Sequence, residues 1–446
     1  MASSKPNPVR TAAFTTLGEK RLYIVGGLQG PLPSGTPTVP GVNQFASLDL
    51  TVPTWNANNP PWTIHPPLPF TIGVYPFFAV FPKSQAELIV ATGDDALPVA
   101  TFDLNSNLWS LADAFVSSYT SSSGVLAAVN PTTDTIIVPT GSTLATSPEI
   151  YGTFLYNIAT KEFSVERGPE MVGPHVPATL REYAIAWSSV RGSVLVYGGR
   201  GELPDNKWQY SSSLLEFSST TRTWKELTVS GPSPGGSNWG CLVPAYNGQK
   251  MVLFGGFTRD VLTPSIYILD VAKLEWTKGQ DIDVSLMRFE HVCTAAGDSF
   301  VAWGGLNSAN SSTTFKDPVI YDLKAGGWTE QFALTSPSTP STPTTPSKDG
   351  STPPPNTPGG QLDDSSSSNT GAIAGGVTGI IFVLLVVGFF FFKRHRRRQS
   401  QERDSLPTKN IESNKAGHLS DLNSMPPPPP PPSEPWSKDI PPSPRN

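Results

Sequence analysis

The chain has 446 residues, 31 Lys and Arg against 36 Asp and Glu, and a net charge of −5, with an isoelectric point near 5.6. That balance argues against nucleic-acid binding, because the only dense basic cluster abuts an apolar run near the C-terminus. Two cysteines, Cys241 and Cys293, are too few for a disulfide scaffold and read as small buried residues in strands.

The first residues, from Met1 to Phe14, contain no apolar core of the kind a secretory signal requires. An outward-facing domain would then need an upstream start that carries the signal, or a less usual export route. From there to about residue 334 a unit recurs: an apolar run ending in Gly-Gly, a polar loop, a short strand, and an aromatic residue about 25 positions on. Leu22–Gly27 leads to Leu48–Leu50 and Trp55; Val194–Gly199 leads to Leu215–Phe217 and Trp224. Met251–Gly256 leads to Tyr267–Asp270 and Trp276, and Val301–Gly305 to Tyr321–Leu323 and Trp328. Two degenerate units lie between, Leu88–Gly93 with Trp109 and Ile136–Gly141 with Phe163, in which Thr92 and Thr140 replace the first glycine. The aromatic anchors stand at 55, 109, 163, 224, 276 and 328, so 54, 54, 61, 52 and 52 residues apart. Each unit predicts about four short strands separated by Gly, Pro, Asn and Ser turns. Such a sheet cannot bury both faces alone, and radial stacking both covers the faces and removes long free edges.

The glycine pair, the Tyr-Asp or Phe-Asp strand and the spaced Trp resemble kelch repeats over residues 8–334, and the resemblance implies an all-β, six-bladed kelch-type β-propeller. Kelch units often open with Arg-x-x-His. Arg288-Phe289-Glu290-His291 fits, and Arg10 and Arg181 keep the Arg at nearly the same distance from their glycines. The resemblance also implies a binding face built from the loops that enter each blade and those that follow the glycine pair. That face would carry Arg10, Arg181, Arg288, Arg200, Glu202, Asp205, Lys207, Arg259 and Asp260. A ring of guanidinium groups prefers an acidic ligand. Two long loops, Leu28–Gln44 and Asn56–Val74, and the aromatic residues Trp62, Trp208, Tyr210 and Trp239 could add surface for a peptide or sugar. Galactose-oxidase-like copper enzymes also use such propellers, but His65, His175 and His291 are widely separated and nothing resembles the Cys and Tyr constellation those enzymes need. No catalytic residue, metal site or cofactor is therefore expected.

Residues 335–370 are dominated by Ser, Thr and Pro and read as a stalk or linker. Gly371–Phe392 carries no charge and, at ~1.5 Å per helical residue, is long enough to cross a bilayer. Lys393–Arg398 follows at once, which places residues 393–446 in the cytoplasm. This basic cluster is also suited to anionic membrane lipid, with Ser400 as a phosphorylatable neighbour. Gly371, Gly375 and Gly379 set small residues on one helical face, where a second span could pack as a dimer. In the disordered tail, Pro426–Pro432 favours polyproline II, a ligand for SH3, WW, EVH1 or profilin-type grooves. Asn310-Ser311-Ser312 is a single glycosylation sequon. The expected protein is a single-pass surface molecule whose propeller binds a protein or glycan ligand while its tail recruits adaptors. A membrane-tethered scaffold with the propeller in the cytosol is the alternative.

Overall fold

In a computed structural model of the chain, the residues described are 5–30, 41–69, 76–92, 99–112, 119–121, 126–139, 142–144, 147–168, 180–202, 207–308 and 314–334. They all lie in a compact unit, Met1–Thr345; the rest of the chain, Pro346–Asn446, is a separate unit outside them. The stalk, span and tail read from the sequence fall outside the described residues, as do His175, Asp205 and the Asn310 sequon. Among the described residues there is no α-helix, only strands and one short 3₁₀ turn, Val284–Leu286, and no helix long and apolar enough to cross a membrane.

Six antiparallel meanders of four strands follow one another along the chain. The first comprises Ala13–Leu17, Arg21–Val25, Phe45–Asp49 and Trp62–Ile64. The second comprises Pro76–Val80, Glu87–Thr92, Val99–Asp103 and Leu108–Ala112. The third uses Ala128–Asn130, Thr135–Val138, Ser147–Asn157 and Phe163–Arg167. The fourth runs Ala184–Ser188, Ser193–Tyr197, Leu214–Ser218 and Thr223–Leu227. The fifth runs Cys241–Ala245, Lys250–Phe254, Ile266–Asp270 and Glu275–Lys278. The sixth runs Val292–Ala296, Ser299–Trp303, Val319–Asp322 and Gly327–Thr329.

Alternation along each strand explains why the apolar runs are unbroken. Side chains of a strand point to opposite faces, so a sheet sandwiched between two others needs apolar residues at every position. Val194 and Val196 enter a cluster shared with the third sheet, while Leu195 and Tyr197 enter one shared with the fifth. Every pair of successive sheets shares such a cluster, and the last, holding Leu22 and Ile24 together with Val301 and Trp303, joins the sixth sheet to the first. This all-β arrangement is consistent with a kelch-type β-propeller. A second closure is made by Gln331–Ala333, which pairs with Thr54–Asn56 and stacks Phe332 on Trp55 at 4.7 Å.

The spaced aromatic has one structural role, and it corrects the reading of the first unit. Trp109, Phe163, Trp224, Trp276 and Trp328 stand on outer strands, opposite Phe102, Tyr156, Phe217, Leu269 and Tyr321. In the first sheet that place is taken by Trp62, opposite Leu48, and not by Trp55, which belongs to the closing strand pair. Part of the second long loop is thus the outer strand of a sheet. The Asp of the Tyr-Asp and Phe-Asp strands caps the next turn: Asp103, Asp270 and Asp322 each accept a backbone N–H two or three residues on.

The glycine pairs are explained by the seams. A Cβ on Gly198, Gly255 or Gly304 would stand 2.1, 2.5 or 2.3 Å from the carbonyl oxygen of Ser237, Arg288 or Val9 in the next sheet's entry segment. The second glycine of each pair, Gly199, Gly256 or Gly305, donates its N–H to that same carbonyl at 2.6, 2.9 and 2.9 Å. Only a residue without a side chain allows the two backbones so close. Cys241 and Cys293 are not independent buried thiols: they form a disulfide between the inner strands of the fifth and sixth sheets, with 6.2 Å between Cα atoms.

Candidate functional site

Thr11, Glu182, Trp239 and Glu290 each stand two residues before an inner strand and adopt left-handed φ values of 54°, 61°, 59° and 55°. Their backbones are linked head to tail: the Trp239 N–H donates to the Glu182 carbonyl, Glu290 to Trp239, and Thr11 to Glu290, at 2.9, 3.3 and 2.9 Å. The loops after the glycine pairs bridge back onto the same entry segments, through Arg10 with Leu28, Arg181 with Arg200, and Phe289 with Leu306. Entry loops and post-glycine loops therefore do share one end of the sheets.

That end brings some of the expected site residues together and removes others. Arg10 is 3 % exposed. Its Nη1 meets Glu290 Oε2 at 2.5 Å, Thr11 donates to the same oxygen at 2.8 Å, and Nε donates to the Gly30 carbonyl at 2.8 Å. Residues 280 apart in sequence thus lock the sixth sheet to the first. Arg288 stands one position earlier in the register than Arg10 and Arg181, level with Val9, and is fully buried under the Phe315 ring. Neither Arg10 nor Arg288 offers a surface guanidinium.

Arg181 and Arg200 behave differently. Both guanidinium groups lie against the Trp208 indole, 4.8 and 4.4 Å from the ring centroid, in cation–π contact. Arg200 is also forked onto Glu182, through Nε to Oε2 and through Nη2 to Oε1 at 3.0 Å. Asn238, from the fifth sheet's entry, donates to the same carboxylate at 2.9 Å. Burial pulls the Arg200 guanidinium down, but Glu182 outweighs it and holds the charge above its ordinary value. Arg181 has no carboxylate partner among the described residues, and its Nε is buried with none.

Two small hairpins carry the exposed part. Arg200–Glu202 pairs with Trp208–Tyr210, and Phe257–Thr258 pairs with Val261–Leu262. Tyr210 donates its hydroxyl to Asp260 at 2.5 Å and ties the two together; burial and that carboxylate push the Tyr210 hydroxyl up. The second hairpin turns on Arg259 and Asp260, both left-handed at φ 50° and 65°, a conformation that costs non-glycine residues about 1 kcal/mol each. Trp208 is 38 % exposed and Val261 69 %, with Lys207 and Arg259 exposed beside them and Trp239 half-buried. Cationic and apolar groups are thus presented together on two short hairpins, which suits recognition of an acidic, partly apolar surface. Trp62 adds nothing to this end; it packs on Trp303 at 5.2 Å between the sixth and first sheets.

At the axis the inner strands surround a cavity of about 630 Å³ whose wall includes Phe14, Phe81, Val129, Trp187, Leu242 and Cys293. Glu19 spans three sheets there, accepting the N–H of Asn247 at 3.2 Å and of Gly297 at 3.0 Å. Of the histidines, His65 bonds the Ser47 hydroxyl at 2.8 Å, while His291 is buried against Phe254 at 5.2 Å. Among the described residues no three His, Cys, Asp or Glu gather as a metal site would require. Hydrogen-bond pattern and the Arg-Glu locks could not be read from spacing; the aromatic and glycine periods could.

The fold and this end of it are consistent with a kelch-type propeller, and part of the chain is similar to known kelch repeats. Residues 184–351 match the KLHDC2/KLHL20/DRC7 Kelch-repeats domain. Two rice proteins (Oryza sativa subsp. japonica) are similar over part of the chain: putative adagio-like protein 2, 26% identical over 133 residues, and adagio-like protein 1, 26% identical over 138 residues. These stretches are 29% and 30% of this chain and only 20% and 21% of the rice proteins.

Proposed function

We propose that the protein is a non-catalytic, six-bladed kelch propeller, anchored by residues 371–392, that binds a protein or glycan ligand through the Trp208 face. The observation that carries this reading is the Arg181 guanidinium, stacked on an exposed indole and lacking a carboxylate partner among the described residues. A ligand carboxylate or sulfate supplies the missing charge, and Trp208 and Val261 supply apolar contact. What supports six blades is the return of shared clusters from the sixth sheet to the first. The disulfide supports an outward position, since such bonds persist in oxidising compartments. On the other side of the membrane the proline-rich tail would recruit SH3-, WW-, EVH1- or profilin-type adaptors, and the basic flank would touch anionic lipid.

The test is cross-linking of the intact protein on cells, followed by identification of the captured ligand. Trp208→Ala and Arg181→Ala should each abolish capture while leaving thermal stability and surface level unchanged; capture at the wild-type level by both variants refutes the reading. Terminal tags decide the topology: external protease should remove an N-terminal tag and spare a C-terminal one.

A further inference from the structure

Arg288 is a fully buried charge with no carboxylate partner among the described residues. It is 0 % exposed, and its neighbours are neutral: Nε reaches the Leu286 carbonyl at 3.3 Å, and Nη1 reaches those of Ala302 and Gly304 at 3.4 Å. Nη2 has no partner among the described residues. Arg10, Arg191 and Arg200, by contrast, each meet a carboxylate directly. An isolated buried cation is costly, and interiors normally supply a counter-charge. His291, three residues on, is also buried, with neither ring nitrogen partnered among the described residues.

Arg288 is among the residues that line a cavity of about 620 Å³ beside the sixth sheet, together with Ile282, Leu286, Phe315, Val319, Ile320 and Trp328. This volume falls in the range of small-molecule sites. Lys316, Asp317 and Glu330 line it as well. The cavity does not involve Arg181 or Trp208 and is distinct from the face described above.

We propose that this cavity is a second binding site, for a small carboxylic acid with an aromatic or aliphatic body, whose carboxylate pairs with Arg288 and whose body lies against Leu286, Ile320 and Trp328. The Phe315 ring covers the guanidinium with its centroid 4.2 Å from Cζ, so the ring must swing aside to admit the headgroup. Phe315 is therefore a gate, and Arg288 the anchor.

The probe is hydrocinnamate, titrated calorimetrically into the full-length protein in lipid nanodiscs, with the corresponding alcohol and acetate as controls. Hydrocinnamate should bind saturably, the alcohol and acetate at least about tenfold more weakly, since one charged hydrogen-bonded pair accounts for that factor. Arg288→Met should abolish binding, and Phe315→Ala should speed association. If Arg288→Met fails to fold, Leu286→Asp serves instead: Leu286 is 38 % exposed, and a carboxylate at the lip should repel the ligand. Equal binding of acid and alcohol, an equal response to acetate alone, or unchanged binding in both Arg288→Met and Leu286→Asp overturns the proposal.

Discussion

The seams from the fourth sheet round to the first differ from those flanking the third. In the first group a backbone runs within contact of a glycine at every junction, and the entry residues form a hydrogen-bonded arc through Glu182, Trp239, Glu290 and Thr11. In the second the contacts among the described residues run through side chains: Lys83 N–H on Asp134 at 2.5 Å, Asn130 on the Ser219 hydroxyl at 2.7 Å, Tyr183 on the Leu126 carbonyl at 2.9 Å, and Arg222 on Glu166 at 2.8 Å. These are also the sheets whose units carry Thr92 and Thr140 in place of the first glycine. Among the described residues, the regular units meet backbone to backbone at glycine and the degenerate units meet through polar side chains.

The largest test of this contrast is Gly198→Ala. Its Cβ would stand 2.1 Å from the Ser237 carbonyl at φ +71°, and we expect a loss of about 4 kcal/mol, read as a lowered thermal midpoint. Gly192→Ala, at φ +62° with no atom within 4 Å, should cost only about 1 kcal/mol. Equal losses would show that φ alone, and not the close seam, sets the requirement.

Removing the Cys241–Cys293 bond by the double alanine change should cost about 3 kcal/mol, because it closes a loop between residues 52 apart. A reductant should lower the wild-type midpoint and leave the variant's unmoved.

Acid should weaken the same seam. Burial, reinforced by the Arg288 charge, pulls the His291 imidazole down to about 3, from an ordinary value of 6.5. The unfolded chain binds the proton first, so this contribution is complete above pH 6.5 and is lost as pH falls toward 3. Between pH 6.5 and 4.5 we expect a loss of about 2 kcal/mol, which His291→Met should remove. Burial also lowers His65, which gives the same sign in the same window. The smallest effect belongs to the exposed pair across the third and fourth sheets: Arg222 is 56 % exposed, and Arg222→Ala should change stability by less than about 0.5 kcal/mol.

Strand content, the repeat and its glycine and aromatic positions were legible in the amino-acid order, because each shows in residue type and spacing along the chain. The choice of Trp62 over Trp55 was not. Both stand at a plausible distance from the glycines, and only strand pairing puts one on a sheet edge and the other in the closure. Linear spacing likewise made Arg288 the equivalent of Arg10 and Arg181, whereas a one-residue difference in register buries it beneath Phe315. The Arg10–Glu290 lock and the Cys241–Cys293 bond join residues that only the succession of sheets brings together. Local periodicity belongs to the sequence; which residues face each other across a seam depends on how sheets distant in sequence come to pack, and that was decided by the tertiary structure.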